Sequence, residues 1–110
     1  MHWLKTAYLS AVTTIEVDSF AGCTALSSID IGTSAATKVT IAANAFRSLA
    51  ALNTLVIRYT SLASLANWST PFAGTGITVS TGTIKVPSAW VASYKAATNW
   101  SKYTSIITAI

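Results

Sequence analysis

Leu26-Ser-Ser-Ile29-Asp-Ile31 recurs 26 residues later as Leu52-Asn-Thr-Leu55-Val-Ile57. Both segments end in alternating apolar and polar residues, the pattern of a β-strand that buries one face. The same offset of 26 residues relates Ile15 to Ile41, and Phe20 to Phe46 and then Phe72. One supersecondary unit therefore recurs along the chain, and such units stack because a unit of about 20 to 30 residues cannot bury its apolar face alone.

Two further features recur in each unit. An aromatic-centred turn precedes each strand, as Ser19-Phe20-Ala-Gly22-Cys23-Thr and as Ala45-Phe46-Arg-Ser-Leu49-Ala. These turns are too short for an independent helix, so we expect short helical turns that insert the Phe side chain into the core. A second extended piece, Val12-Thr-Thr-Ile15-Glu-Val17 with its echo Val39-Thr-Ile41, is expected to line another wall of the coil.

The C-terminal part departs from the repeat, as terminal repeats do. Strand register resumes at Thr83-Ile84-Lys85-Val86, and Pro87 is expected to stop that strand. Ser88 is placed to cap a helix through Ala97 with Trp90, Val91 and Tyr94 on one face, and Asn99 is a helix stop. Trp100, Tyr103, Ile106 and Ile107 supply apolar groups that seal the last coil. We expect a single domain over residues 1–110, with about three coils in residues 4–87 and a cap in residues 88–110.

The pattern resembles the bacterial-surface leucine-rich repeats of the BspA type. The matching residues are Val12-Thr13-Thr14-Ile15, Phe20-Ala-Gly22-Cys23-Thr-Ala-Leu26 and the C-terminal segment Ile84 to Tyr103, whereas Arg47-Ser48-Leu49 replaces the usual Gly and Cys in the second unit. The resemblance implies an α/β, mainly β, leucine-rich-repeat solenoid with short helical turns and a C-terminal helical cap. It also implies a non-catalytic module of bacterial surfaces or phage structural proteins, associated with adhesion or attachment.

Composition excludes several classes of function. The 110 residues are 52% hydrophobic and 9% charged, and the seven basic residues are scattered singly rather than grouped into a patch for phosphates. We therefore expect no nucleic-acid partner. A single cysteine excludes an intrachain disulfide and a multi-thiolate zinc site, and we expect neither a metal nor a cofactor. Uninterrupted apolar windows are too short for membrane insertion, and Met1 to Val12 is too polar for a signal-peptide apolar region.

No catalytic set can be assembled, so we predict that the chain is not an enzyme. Glu16 and Asp18 share a strand face but lack a histidine partner, and His2 lies near the terminus. Cys23 is expected to be a buried small hydrophobic residue. Gly74-Thr-Gly76 lacks the lysine of a phosphate loop and indicates a tight turn. The C-terminal tryptophans and tyrosines, Trp90, Tyr94, Trp100 and Tyr103, would suit a sugar-stacking platform, but their helical spacing favours core.

The outer face of the main strands is the best candidate for ligand binding. Register places Ser28, Thr54 and Thr83 in one column, and Asp30, Val56 and Lys85 in the next, with Arg58 at a strand end. A small face of mixed polarity suits low-affinity recognition of a protein or glycan. The alternative is that the face is merely solvated, because it is small for a standard interface.

A second candidate is the N-terminal edge formed by Trp3, Leu4, Ala7 and Leu9. Leu4, Ala7 and Leu9 precede the equivalent strand residues Leu26, Ile29 and Ile31 by 22 residues instead of 26. The loop-like segment Gly32 to Thr37 accounts for the four additional residues of the next unit. No earlier repeat covers these edge residues, so we expect additional N-terminal repeats, another domain or an oligomer partner at this edge. The aromatic cap should keep the C-terminal end free of such contacts.

Two functions remain open. The first is an adhesion or ligand-binding module at the C-terminal end of a longer surface protein, located extracellularly or on the cell surface and binding a protein or glycan there. The alternative is a structural or host-attachment component of a bacteriophage particle, located in the virion. The sequence does not choose between them.

Overall fold

The structure, a computed structural model, describes residues 3–110. His2, considered above as an active-site residue, lies outside them. The strands are β1 (Thr6–Leu9), β2 (Thr14–Ile15), β3 (Ser28–Ile31), β4 (Thr40–Ile41), β5 (Thr54–Ile57), β6 (Ser64–Leu65), β7 (Thr83–Val86) and β8 (Ile107–Ala109). One α-helix, α1 (Val91–Ala96), and three 3-10 helices (Thr70–Phe72, Ser88–Trp90 and Trp100–Tyr103) complete the elements.

The strands form two parallel sheets, and from β1 to β7 the chain passes alternately between them. The larger has five strands in the order β1-β3-β5-β7-β8, and the smaller has three in the order β2-β4-β6. Every pair is parallel. The predicted α/β class with a predominance of strands is thus confirmed as a mixed fold of parallel strands in two sheets with few helices.

The core is built from residues that repeat across paired strands. In the larger sheet the paired inward residues are Ala7, Ile29, Leu55, Ile84 and Ile107, and each is at most 6% exposed. In the smaller sheet they are Ile15, Ile41 and Leu65. All eight belong to one buried cluster, so burial of equivalent side chains fixes the register of both sheets at once.

The aromatic turns also stack as expected. The ring centroids of Phe20 and Phe46 are 6.3 Å apart, and those of Phe46 and Phe72 are 5.6 Å apart. Tyr103 extends the row, because its ring packs edge-on against Phe72 with the ring centroids 5.5 Å apart. Phe46 and Phe72 are buried, whereas Phe20, at the N-terminal end of the row, is only partly buried. The turns themselves are not helical around Phe20 and Phe46, and only the turn at Phe72 forms a 3-10 helix.

The C-terminal segment covers the smaller sheet with side chains instead of a further strand. The Tyr94 hydroxyl accepts a hydrogen bond from the Ala63 amide at 2.9 Å and donates to the Ser61 carbonyl at 3.0 Å. The Trp100 indole donates to the Ala63 carbonyl, and the Asn99 amide donates to the Leu65 carbonyl, each at 2.8 Å. These bonds satisfy backbone groups that an uncovered strand would leave unpaired.

One detail of the predicted cap is wrong. Ser88 does not cap a continuous helix: residues 88–90 form a 3-10 helix, α1 begins at Val91, and no side chain caps either one. Trp100, Tyr103 and Ile107 are buried as expected. In addition, Ile107–Ala109 pair with β7 as a fifth strand, which the sequence did not predict. β8 is therefore the outer strand at this end of the larger sheet, and no other strand within residues 3–110 pairs with its free edge.

Alkaline pH should destabilise the cap. Burial raises the pKa of Tyr103 to about 12 and also raises the pKa of Tyr94. Because the unfolded phenol ionises near pH 10, stability is fully present below that pH and falls as pH rises toward the folded pKa. We expect the free energy of unfolding, measured in urea from pH 8 to 11.5, to decline above about pH 10. A Tyr103→Phe variant should show a shallower decline, and an unchanged slope would contradict this assignment.

Candidate ligand-binding face and sheet edge

The outer face of the larger sheet carries the predicted columns. Ser28 pairs with Thr54 and Thr54 with Thr83, and the three side chains are partly buried. In the next column Asp30 pairs with Val56, and Val56 with Lys85. The geometry therefore brings six of the seven predicted face residues side by side on neighbouring strands.

Val56 corrects the prediction at one position. It lies in the outward column, but only 8% of it is exposed. Its neighbours on the paired strands are Asp30 and Lys85, and Arg58 follows two residues later in the chain, so longer side chains surround this small apolar residue. Val56 is therefore an apolar floor of the face and not a side chain presented to a ligand.

Arg58 and Asp30 form a bidentate ion pair on this face. Arg58 Nε donates to Asp30 Oδ1 at 2.7 Å, and Arg58 NH2 donates to Asp30 Oδ2 at 2.9 Å. These hydrogen bonds, with the charge of Asp30 as a second cause, raise the pKa of Arg58. The pair is therefore held by two charge-assisted hydrogen bonds, and Lys85 is the exposed cation of the column.

Three residues extend the face beyond the sequence prediction. Tyr8 pairs with Asp30, and 77% of Tyr8 is exposed, which makes it the most exposed large apolar residue of the face. Thr6 pairs with Ser28 at the same edge, and Thr108 pairs with Lys85 at the other. Thr6 and Tyr8 were within reach of the sequence argument, because they alternate with Ala7 and Leu9. Thr108 had no such signal, since β8 does not share the repeat pattern.

The N-terminal edge is open among residues 3–110, where β1 pairs only with β3. Trp3 is 72% exposed, while Leu4 and Leu9 are partly buried. Ala7 corrects the prediction, because it is only 6% exposed and its side chain belongs to the core. The Lys5 and Leu9 carbonyls accept hydrogen bonds from backbone amides at the two ends of β3. Because backbone groups alternate in direction along a strand, those of Thr6 and Tyr8 point away from β3, to the unpaired edge.

The other side chains weighed as functional groups have structural surroundings. Asp18 and Glu16 do not share a strand face, because β2 ends at Ile15 and Asp18 has a left-handed φ of 56°. The Asp18 carboxylate instead pairs with Arg47 through two hydrogen bonds of 3.1 and 3.0 Å. Cys23 is 3% exposed.

The aromatic residues of the cap do not form an exposed platform. Tyr94, Trp100 and Tyr103 are each at most 2% exposed, and Trp90 is partly buried. Their expected role as core is confirmed. Within residues 3–110 no group of three or more His, Cys, Asp and Glu side chains is arranged to hold a metal ion. In the same part of the chain, no helix has the length and apolarity needed to cross a bilayer.

Comparison with known proteins adds no relative. No family model matches the chain, and no curated protein or solved structure is significantly similar to it. The function is therefore argued from the geometry of these residues.

Proposed function

We propose that the chain is a non-catalytic binding module, built as a leucine-rich-repeat solenoid of the BspA type, that recognises a protein or glycan on a cell surface. The observation that carries the proposal is the paired register of equivalent residues: each successive passage of the chain adds one strand to each sheet, in parallel. Stacked units of this kind present their outward side chains as one continuous surface.

The outer face of the larger sheet is the surface we assign to recognition. It combines an exposed aromatic ring, Tyr8, with an exposed cation, Lys85, on either side of the ion pair of Asp30 and Arg58. Tyrosine and arginine are enriched among residues that dominate binding energy. The face is held by strands rather than loops, so little ordering is required on binding. These features support low-affinity recognition by an extracellular or cell-surface protein.

Substitutions on the face, with a charge reversal elsewhere as the control, test this assignment. Fluorescently labelled chain is incubated with whole bacterial and animal cells, and its apparent affinity is measured by flow cytometry. We expect Tyr8→Ala and Lys85→Glu to weaken binding about tenfold, as hot-spot truncations do. Lys95→Glu is the control, because Lys95 is an exposed lysine that belongs to α1 and not to a strand of the face. Absence of binding to every cell type, or equal losses for Lys85→Glu and Lys95→Glu, would contradict the proposal.

A second candidate is a structural or host-attachment component of a bacteriophage particle, with location in the virion. The open edges favour it: β1 and β8 are the two outer strands of the larger sheet within residues 3–110. Outer strands offer backbone groups to strands of other chains. Electron microscopy of the native source, as particle or as cell envelope, separates the two candidates.

A further inference from the structure

A cleft lies beside the cap, on the side of the molecule that carries the Phe row. It has a volume of about 270 Å³ and is bounded by the loops around Trp68 and Thr78 and by Tyr103. Phe72, Ile77 and Tyr103 line it and are each at most 3% exposed. Trp68 and Val79, which are 44% and 43% exposed, line it as well. The cleft therefore has an apolar floor and a partly exposed tryptophan.

The cap holds both walls of this cleft in place. The Tyr103 hydroxyl donates to the Trp68 carbonyl on one wall. The Ser105 hydroxyl donates to the Val79 carbonyl on the other at 2.6 Å. Lys102 places its ammonium 5.7 Å from the centroid of the Trp68 ring, within the range of a cation–π contact. Three closely spaced residues of the cap thus fix the two loops relative to each other.

The loop that carries Trp68 is also fixed from within. Asn67 Oδ1 accepts hydrogen bonds from the amides of Ser69 and Thr70 and from the Thr70 hydroxyl, at 3.1, 2.8 and 2.9 Å. The core residue Trp100 is 1% exposed, whereas Trp68 is 44% exposed. Trp68 instead combines a restrained backbone with an exposed ring. That combination lowers the entropic cost of binding and is found in the aromatic anchors of recognition sites.

The residues that line the cleft indicate which class of ligand it can bind. None of the ten lining residues is charged, and the exposed Ser69 and Thr78 add hydroxyl groups to the rim. A cationic ligand would be repelled by the Lys102 ammonium beside Trp68. An anionic ligand would find that solvent-exposed lysine as its one nearby cation and no charged group in the lining to offset its lost hydration. A pyranose sugar has an apolar face of polarised C–H groups, which the negative face of an indole attracts, and hydroxyl groups around its ring for the polar rim.

We propose that the Trp68 cleft is a binding site for an uncharged pyranose residue of a glycan. In this site Trp68 stacks on the apolar face of the sugar, and the rim around Ser69 and Thr78 meets its hydroxyl groups. The site is separate from the outer face of the larger sheet and does not rest on the function proposed for that face.

Titration with small sugars tests the site directly. Methyl glycosides of glucose, galactose, mannose and N-acetylglucosamine are added to ¹⁵N-labelled chain, and spectra are recorded by NMR. We expect at least one of them to shift the Trp68 indole and the Thr78 and Val79 amides in a saturable manner. Trp68→Ala should weaken that binding about tenfold or more. Trp3→Ala, which truncates an exposed tryptophan just before β1 and outside the cleft lining, should leave it unchanged.

A second variant keeps the test decisive if Trp68→Ala unfolds. Val79→Trp retains Trp68 and fills the cleft from its exposed rim, so it should abolish sugar binding while the spectrum stays folded. The proposal is overturned if no glycoside shifts these resonances, or if either folded variant binds as the wild type does. It is also overturned if glucuronic acid or N-acetyl-leucinamide binds in the cleft and the four neutral glycosides do not.

Discussion

Phe46→Ala is expected to lower the free energy of unfolding by about 3 to 5 kcal/mol, the range for removing a large buried aromatic side chain. Phe46 is 0% exposed and stacks between Phe20 and Phe72, so its loss opens a cavity in the middle of the row. The neighbouring rings belong to paired units whose positions the two sheets fix. They therefore cannot collapse into the space without disturbing strand register.

Urea denaturation followed by circular dichroism measures the effect, and Phe20→Ala supplies the control. Phe20 has the same position in its unit but is only partly buried at the end of the row, so it should give a smaller loss. A loss below about 1 kcal/mol for Phe46→Ala, within the scatter of ordinary substitutions, would show that the Phe side chains do not act as equivalent core residues of stacked units.

Gly32→Ala is expected to destabilise the chain by about 2 to 4 kcal/mol, because backbone strain and steric overlap act together. Gly32 follows β3 with a φ of +86°, and a Cβ at this position would lie 2.7 Å from the ring of Tyr59. That ring is not free to move aside. Tyr59 is 2% exposed, and its hydroxyl donates to the Val12 carbonyl at 2.7 Å.

Gly22→Ala separates the two causes. Gly22 has the same φ of +86°, but nothing lies within 4 Å of a Cβ placed there. It should therefore show the conformational strain alone, about 1 kcal/mol. Thermal unfolding of both variants gives the comparison. Equal losses at the two positions would mean that Tyr59 yields to the added methyl group and that the close packing of this loop is not rigid.

The candidate binding face followed from the sequence to a large extent. The repeat aligns Ser28, Thr54 and Thr83 because equivalent positions of stacked units pair with one another, and their apolar neighbours determine which side faces out. Burial was less predictable. Val56 alternates like an outward residue, yet it is covered by its neighbours in space, and a strand pattern carries no information on the length of side chains in adjacent strands.

The Trp68 cleft and the C-terminal strand could not be found in this way. Trp68 belongs to no repeated position, and its restraint comes from Tyr103 and Lys102, which reach it from the cap. β8 pairs with β7 although Ile107–Ala109 share no motif with the earlier strands. Pairing of that kind depends on where the intervening cap directs the chain.

The 26-residue repeat predicts the repeating unit, the two rows of strands and the register of β3 on β5, because equivalent positions of stacked units pair with one another and bury the same face. The ends of the stack are completed by contacts that the repeat does not contain. The Tyr94, Asn99 and Trp100 side chains hydrogen-bond to the backbone around β6, and β8 closes on β7. These contacts join segments that occur once in the chain, so a repeat pattern cannot predict them. They depend on where the stacked units place the backbone groups of β6 and β7.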